Sequence, residues 1–187
     1  MAWIPIYEEK SARYERALVM QGNTAYAAGL ALLMAHDPRA AEWLRRAAAR
    51  WRESWSGGEA WGRPIGALKA SLLAGDEPAL EALAPWTLEL GTATSASPIG
   101  RYAAALALLA LGRWPEARHV AESLRERDDF PHDVVGYVEA VESVVASFET
   151  REEFLEDIRV ADTALVLDVL ARRRAIEQPL PPSDVLP

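Results

Sequence analysis

The chain contains no cysteine. That absence excludes a structural disulfide and a thiolate metal site. Long apolar runs are missing too. No segment holds the roughly 18 uninterrupted apolar residues of a membrane span, so none is expected. The stretch from Met1 to Lys10 lacks a basic head followed by an apolar run of signal-peptide length, and a cytoplasmic location is the expectation. Strand-like runs of β-branched residues are nearly absent; the nearest, Val141 to Val145, is broken by Glu142 and Ser143. Basic residues are in the minority, 20 Lys and Arg against 28 Asp and Glu, for a formal charge of −8. A general nucleic-acid binder needs a basic face, so nucleic acid is not an expected partner. A basic protein partner is compatible with that charge.

What is present favours helix. Half of the 187 residues are hydrophobic, enough for a sizeable core. Alanine, leucine, glutamate and arginine dominate, all residues that lose little in a helix. Three stretches share one plan: a leucine-rich helix end, a polar corner, then a proline that opens the next helix. They are Leu32-Leu33…Pro38, Leu72-Leu73…Pro78 and Leu108-Leu109…Pro115. A fourth, Val144-Val145…Thr150, replaces the proline with a threonine cap. The period of about 36 to 40 residues is the length of two short antiparallel helices and their turns.

The spacing predicts helices over 5–21, 24–36, 38–55 and 64–74, with Gly22-Asn23 breaking the first pair. A helix from Pro78 should kink or end at Pro85. Helices from Pro98 to about Leu111, from Pro115 to about Arg127 and from Pro131 to about Phe148 follow. Thr150-Arg151-Glu152-Glu153 reads as a capping box for a short ninth helix to about Ile158. Asp162 caps the last helix, to about Ala175. The helix from Pro98 should be the most buried. Residues 1–176 form a single all-helical repeat domain and 177–187 a proline-rich tail, with Pro179, Pro181, Pro182 and Pro187.

The run Tyr102 to Ala117 resembles tetratricopeptide-like repeats in the placing of its small residues, leucines, Gly112 and Ala117. The resemblance implies an all-α fold: antiparallel helical hairpins stacked as a short right-handed array of about ten helices. The run from Phe154 to Arg174 resembles the end of an all-helical bacterial family, the immunity proteins of polymorphic toxin systems. That resemblance implies binding and neutralising a toxin, with no chemistry and no catalytic residue to carry over.

Candidate sites are few. His36 sits at a helix end, where it complements the dipole; His119 lies on a solvated face. The cluster Asp128-Asp129-Phe130-Pro131-His132-Asp133 offers oxygen and imidazole ligands. Capping explains the same aspartates, and the spacing matches neither a calcium loop nor a zinc signature. No metal and no cofactor is expected. The pairs Glu152/Glu156 and Glu153/Asp157 fall on one helix face, as solvated acids do. Nothing forms a nucleophile elbow or a phosphate loop, so no catalytic residue is proposed.

Tryptophan is over-represented, with seven in the chain. Trp43, Trp51, Trp55 and Trp61 fall close together, beside Arg45, Arg46, Arg50 and Arg52. Trp51 and Trp55 fit a core stripe. Trp61 lies in a Gly58–Gly62 elbow and is expected at an interface. Trp and Arg are the usual material of interface hot spots. Trp43, Trp61, Arg46, Arg50 and Trp114 are therefore the candidate protein interface. The reading is a non-enzymatic protein-binding module, an immunity protein whose partner is a toxin. The alternatives are a homo-oligomeric structural protein and a small-ligand binder using the concave face.

Overall fold

The repeated leucine–corner–proline signature turns out to be a repeated way of ending a helix. The structure, a computed structural model, describes residues 3–58, 60–125 and 137–187. Its helices are α1 (Trp3–Met34), α2 (Ala40–Glu53), α3 (Gly62–Leu73), α4 (Glu77–Glu89), α5 (Pro98–Ala110), α6 (Trp114–Arg125), α7 (Tyr137–Thr150) and α8 (Asp162–Arg172). Thr92–Thr94 and Leu155–Asp157 form single 3-10 turns. No strand occurs among the described residues.

After α1, α3, α5 and α8 one residue adopts left-handed backbone: His36 (φ 52°), Gly75 (φ 61°), Gly112 (φ 70°) and Ala175 (φ 57°). The next amide then reaches back to the last turn. Asp37 donates to Leu32 O (2.8 Å), Asp76 to Ser71 O (3.0 Å), Arg113 to Leu108 O (2.9 Å) and Ile176 to Ala171 O (3.0 Å). This satisfies carbonyls that a helix end leaves open. His36 is therefore held at its helix end by backbone geometry. An acidic side chain then forms the turn ahead of α2, and another caps α4. Asp37 accepts the Arg39 amide (2.9 Å) and grips its guanidinium, which holds the Asp37 carboxyl at a pKa of about 2. Asp76 accepts the Ala79 amide at 3.2 Å.

The described helices number eight, against the ten expected. Gly22 and Asn23 do not break α1. A Cβ at Gly22 would stand 2.7 Å from the Trp51 ring, and Asn23 Oδ1 accepts the Trp51 indole N–H at 3.1 Å. The pair is a slot for Trp51 inside a continuous helix. Pro85 does not end α4, which runs four residues past it. The capping box does not form either. Thr150 Oγ1 donates to Ala146 O (2.9 Å) at the end of α7, and the ninth helix shrinks to the 3-10 turn at Leu155. The Pro131 helix start and the Asp128–Asp133 cluster lie outside the described residues.

Consecutive helices pack on each other from α1 to α6, and α7 packs on α8. The tetratricopeptide-like stack would stop there, since each repeat of such a stack touches only its neighbours. Here α8 returns to α3, which already contacts α2, α4 and α5. This makes α3 the hub, with Ala67, Leu68 and Ala70 at zero exposure. In α5, the residues Ala103 to Leu108 are all buried, as expected of that helix. The tail residues Val185 and Leu186 join the same core. Residues Arg13 to Met34 of α1 are long and apolar enough, by length and composition, to cross a membrane. Leu18, Ala25, Tyr26 and Leu30 of that stretch are buried in the fold.

Candidate functional site: a polar trio under a cleft and a basic groove

Three helices distant in sequence bring polar residues to a common point. Tyr26 of α1 donates its hydroxyl to Asp162 Oδ2 at 2.8 Å. Lys69 of α3 donates to the same oxygen at 3.1 Å and to Thr163 Oγ1 at 2.7 Å. Thr163 completes the ring with a longer bond, 3.3 Å, to Asp162 Oδ1. The Lys69 and Asp162 side chains are only 13% and 15% exposed, so this is a nearly buried ion pair. Losing one member would strand the other charge in a poor solvent for it. Burial, and then the Asp162 charge, push the Tyr26 phenol well above its ordinary pKa. The same two causes push Tyr102, on α5, up to about 12. Tyr102 is 36% exposed overall, so the enclosure belongs to its hydroxyl end.

The trio sits on the wall between two hollows of about 490 and 270 Å³. Val19, Trp51, Trp61, Ile65 and Ile99 make the larger one apolar. Lysine is rare here: Lys10 and Lys69 are the only two, and Lys69 interrupts the apolar run of α3. A single lysine amid Ile65, Leu68 and Leu72 was the available sequence signal for this site. Asp162, expected to cap the last helix, is the first residue of α8, and its carboxylate serves Tyr26 and Lys69 instead.

The expected interface residues divide. Trp43, Arg46 and Arg50 come together on α2, where with Met20, Gln21 and Thr24 of α1 they line a groove of about 620 Å³. Arg46 lies 4.9 Å from the Trp43 ring centroid and pairs with Glu42; Arg50 pairs with Glu53 at 2.7 Å. Both pairs are exposed, so each is weak and exchangeable. Met20 is 56% exposed.

Trp61 is elsewhere, and it is not an exposed anchor. It is 6% exposed and stacks on Trp55 at 5.7 Å, while Trp55 meets Trp86 edge-on at 5.9 Å. The glycines before it turn the chain so that the indole points inward, and stacking offsets the order this imposes. Trp114 is half-buried, with Arg174 4.9 Å from its ring, in a separate hollow of α5 and α6. Arg52 covers Trp86 at 3.8 Å. Among the described residues no cluster of His, Asp and Glu has the geometry to hold a metal ion.

No family model, no curated protein and no solved structure matches this chain.

Proposed function

We propose that this chain is a non-enzymatic protein-binding module, and that the α1–α2 groove is where it binds an acidic partner protein. The carrying observation is the convergence of Trp43, Arg46 and Arg50 with an exposed methionine in one groove. The segment that carries α1 and α2 is also the less acidic part of the chain. Residues 1–55 hold eight Lys and Arg against six Asp and Glu, whereas residues 56–187 hold twelve against 22. The partner thus presents an apolar anchor flanked by carboxylates, which exchange with Glu42 and Glu53 for the two arginines. The α1–α2 hairpin, packed on α3, displays the groove.

The toxin partner is a narrower proposal that rests on the resemblance of 154–174. Within that segment Val160, Ala161, Ala164, Leu165, Val166, Leu170 and Ala171 are buried. Residues that pack a core carry the shape of a fold, while partner choice is written on the exposed side chains.

The test is affinity capture with the native chain against Arg46→Glu/Arg50→Glu, followed by titration of the purified partner. The charge reversal should leave the melting temperature within about 2 °C and weaken binding by at least about 2 kcal/mol, roughly thirtyfold. A partner bound equally by both forms sinks the groove as the binding face.

A further inference from the structure

We propose that the cleft walled by Tyr26, Lys69 and Asp162 binds a small uncharged ligand with an aromatic or branched apolar body and one carbonyl acceptor. The size fits: about 490 Å³, with a second hollow of about 270 Å³ behind the polar trio. Trp51, Trp61 and Ile65 supply an apolar wall. Ile99 and Leu155, 51% and 43% exposed, stand at the mouth without an apolar cover of their own.

The polar side decides the head group. An ammonium has three N–H donors. Lys69 spends two of them, on Asp162 and Thr163. A carbonyl oxygen is the natural acceptor for the third, and a hydrogen bond to a charged donor is a strong one. A purely hydrocarbon ligand would leave that donor dry. A charged ligand fails for another reason: Asp162 already balances Lys69, so a second charge would enter the cleft without a counter-ion. The other charges nearby do not alter this. Arg63 is turned to the Ser54 carbonyl, and Arg151 and Glu153, of opposite sign, are both exposed at the second hollow.

Two neutral dyes test it. Nile red carries a carbonyl; N-phenyl-1-naphthylamine does not. Nile red should saturate one site and shift the indole N–H signals of Trp51 and Trp61 while leaving those of Trp43 and Trp114 in place. Ile99→Trp, at an exposed position, narrows the mouth and should weaken both dyes about tenfold. Lys69→Met/Asp162→Asn, which removes both charges of the pair together, should weaken Nile red about fivefold and leave N-phenyl-1-naphthylamine within about twofold. Trp43→Ala, in the other groove, should change neither. Absence of saturable Nile red binding, or full affinity in Ile99→Trp, overturns the cleft as a ligand site. Equal loss of both dyes in Lys69→Met/Asp162→Asn overturns the pairing of Lys69 with a carbonyl.

Discussion

Trp51 shows how much one residue organises. Its ring lies between α1 and α3, where Gly22 and Gly66 leave the space. A Cβ at either glycine would come within 2.7 Å of a ring atom, and the ring is fixed by its bond to Asn23. Gly22→Ala and Gly66→Ala should therefore each cost about 1–3 kcal/mol, and Trp51→Ala about 3–5 kcal/mol, in urea unfolding. A Gly22→Ala protein as stable as the parent would mean the slot is loose. Trp61→Ala should likewise cost about 3–5 kcal/mol, through the cavity it leaves beside Trp55. At the other pole of the same cleft, Tyr26 couples stability to pH. Its proton leaves the unfolded chain near pH 10 and is held to higher pH in the fold. The unfolded state then binds fewer protons, so stability is complete below about pH 10 and falls as pH rises beyond it. Tyr26→Phe should flatten that alkaline slope, and what slope persists belongs to Tyr102, pushed up to about 12, and to Tyr14, raised by its hydrogen bond to Glu53. An unchanged slope would show that Tyr26 ionises as freely in the fold as outside it.

Helix ends account for most of what the sequence made legible. The signature Leu72-Leu73…Pro78 implied a stop, a turn and a start, and all three are there in Ser71 O, Gly75 and Asp76. Such signals are local, so a chain carries them openly. Residues whose partners are remote behave otherwise. Gly22 looks like a breaker until Trp51, on the next helix, is placed against it. Pro85 looks like a stop, yet packing on α3 and α5 holds α4 together through it. Asp162 and Lys69 are 93 positions apart, and no pattern in either segment points to the other. The corners also yield a prediction. Ala175 and His36 occupy left-handed backbone that costs a residue with a Cβ roughly 1 kcal/mol or more. Ala175→Gly should raise stability by about that amount, read as a shift of the urea midpoint at constant slope. A lower midpoint would mean that the Ala175 methyl contributes packing that outweighs the strain.

At the scale of the molecule, the fold is closed by its last residues. Val185 is 1% exposed, and its carbonyl accepts the Ala161 amide at 2.8 Å, directly before α8 begins. Ser183 ties the same segment to α7 through Glu149 at 2.6 Å. The tail thus fixes the start of α8, and the start of α8 is Asp162, the acid that serves Lys69 and Tyr26. Deleting residues 183–187 would remove two buried apolar side chains, each worth about 1.5–3 kcal/mol of burial, and strand one buried amide. The shortened chain should lose at least about 3 kcal/mol in urea unfolding. The loss should also be uneven. Dye affinity in the cleft should fall, because the Lys69–Asp162 pair loses its anchorage. Partner binding at the α1–α2 groove should survive wherever the chain is still folded, because no tail residue lines that groove. A deletion that leaves the unfolding midpoint unchanged, or that weakens groove and cleft alike, would show that the tail is not what holds α8 against the hub.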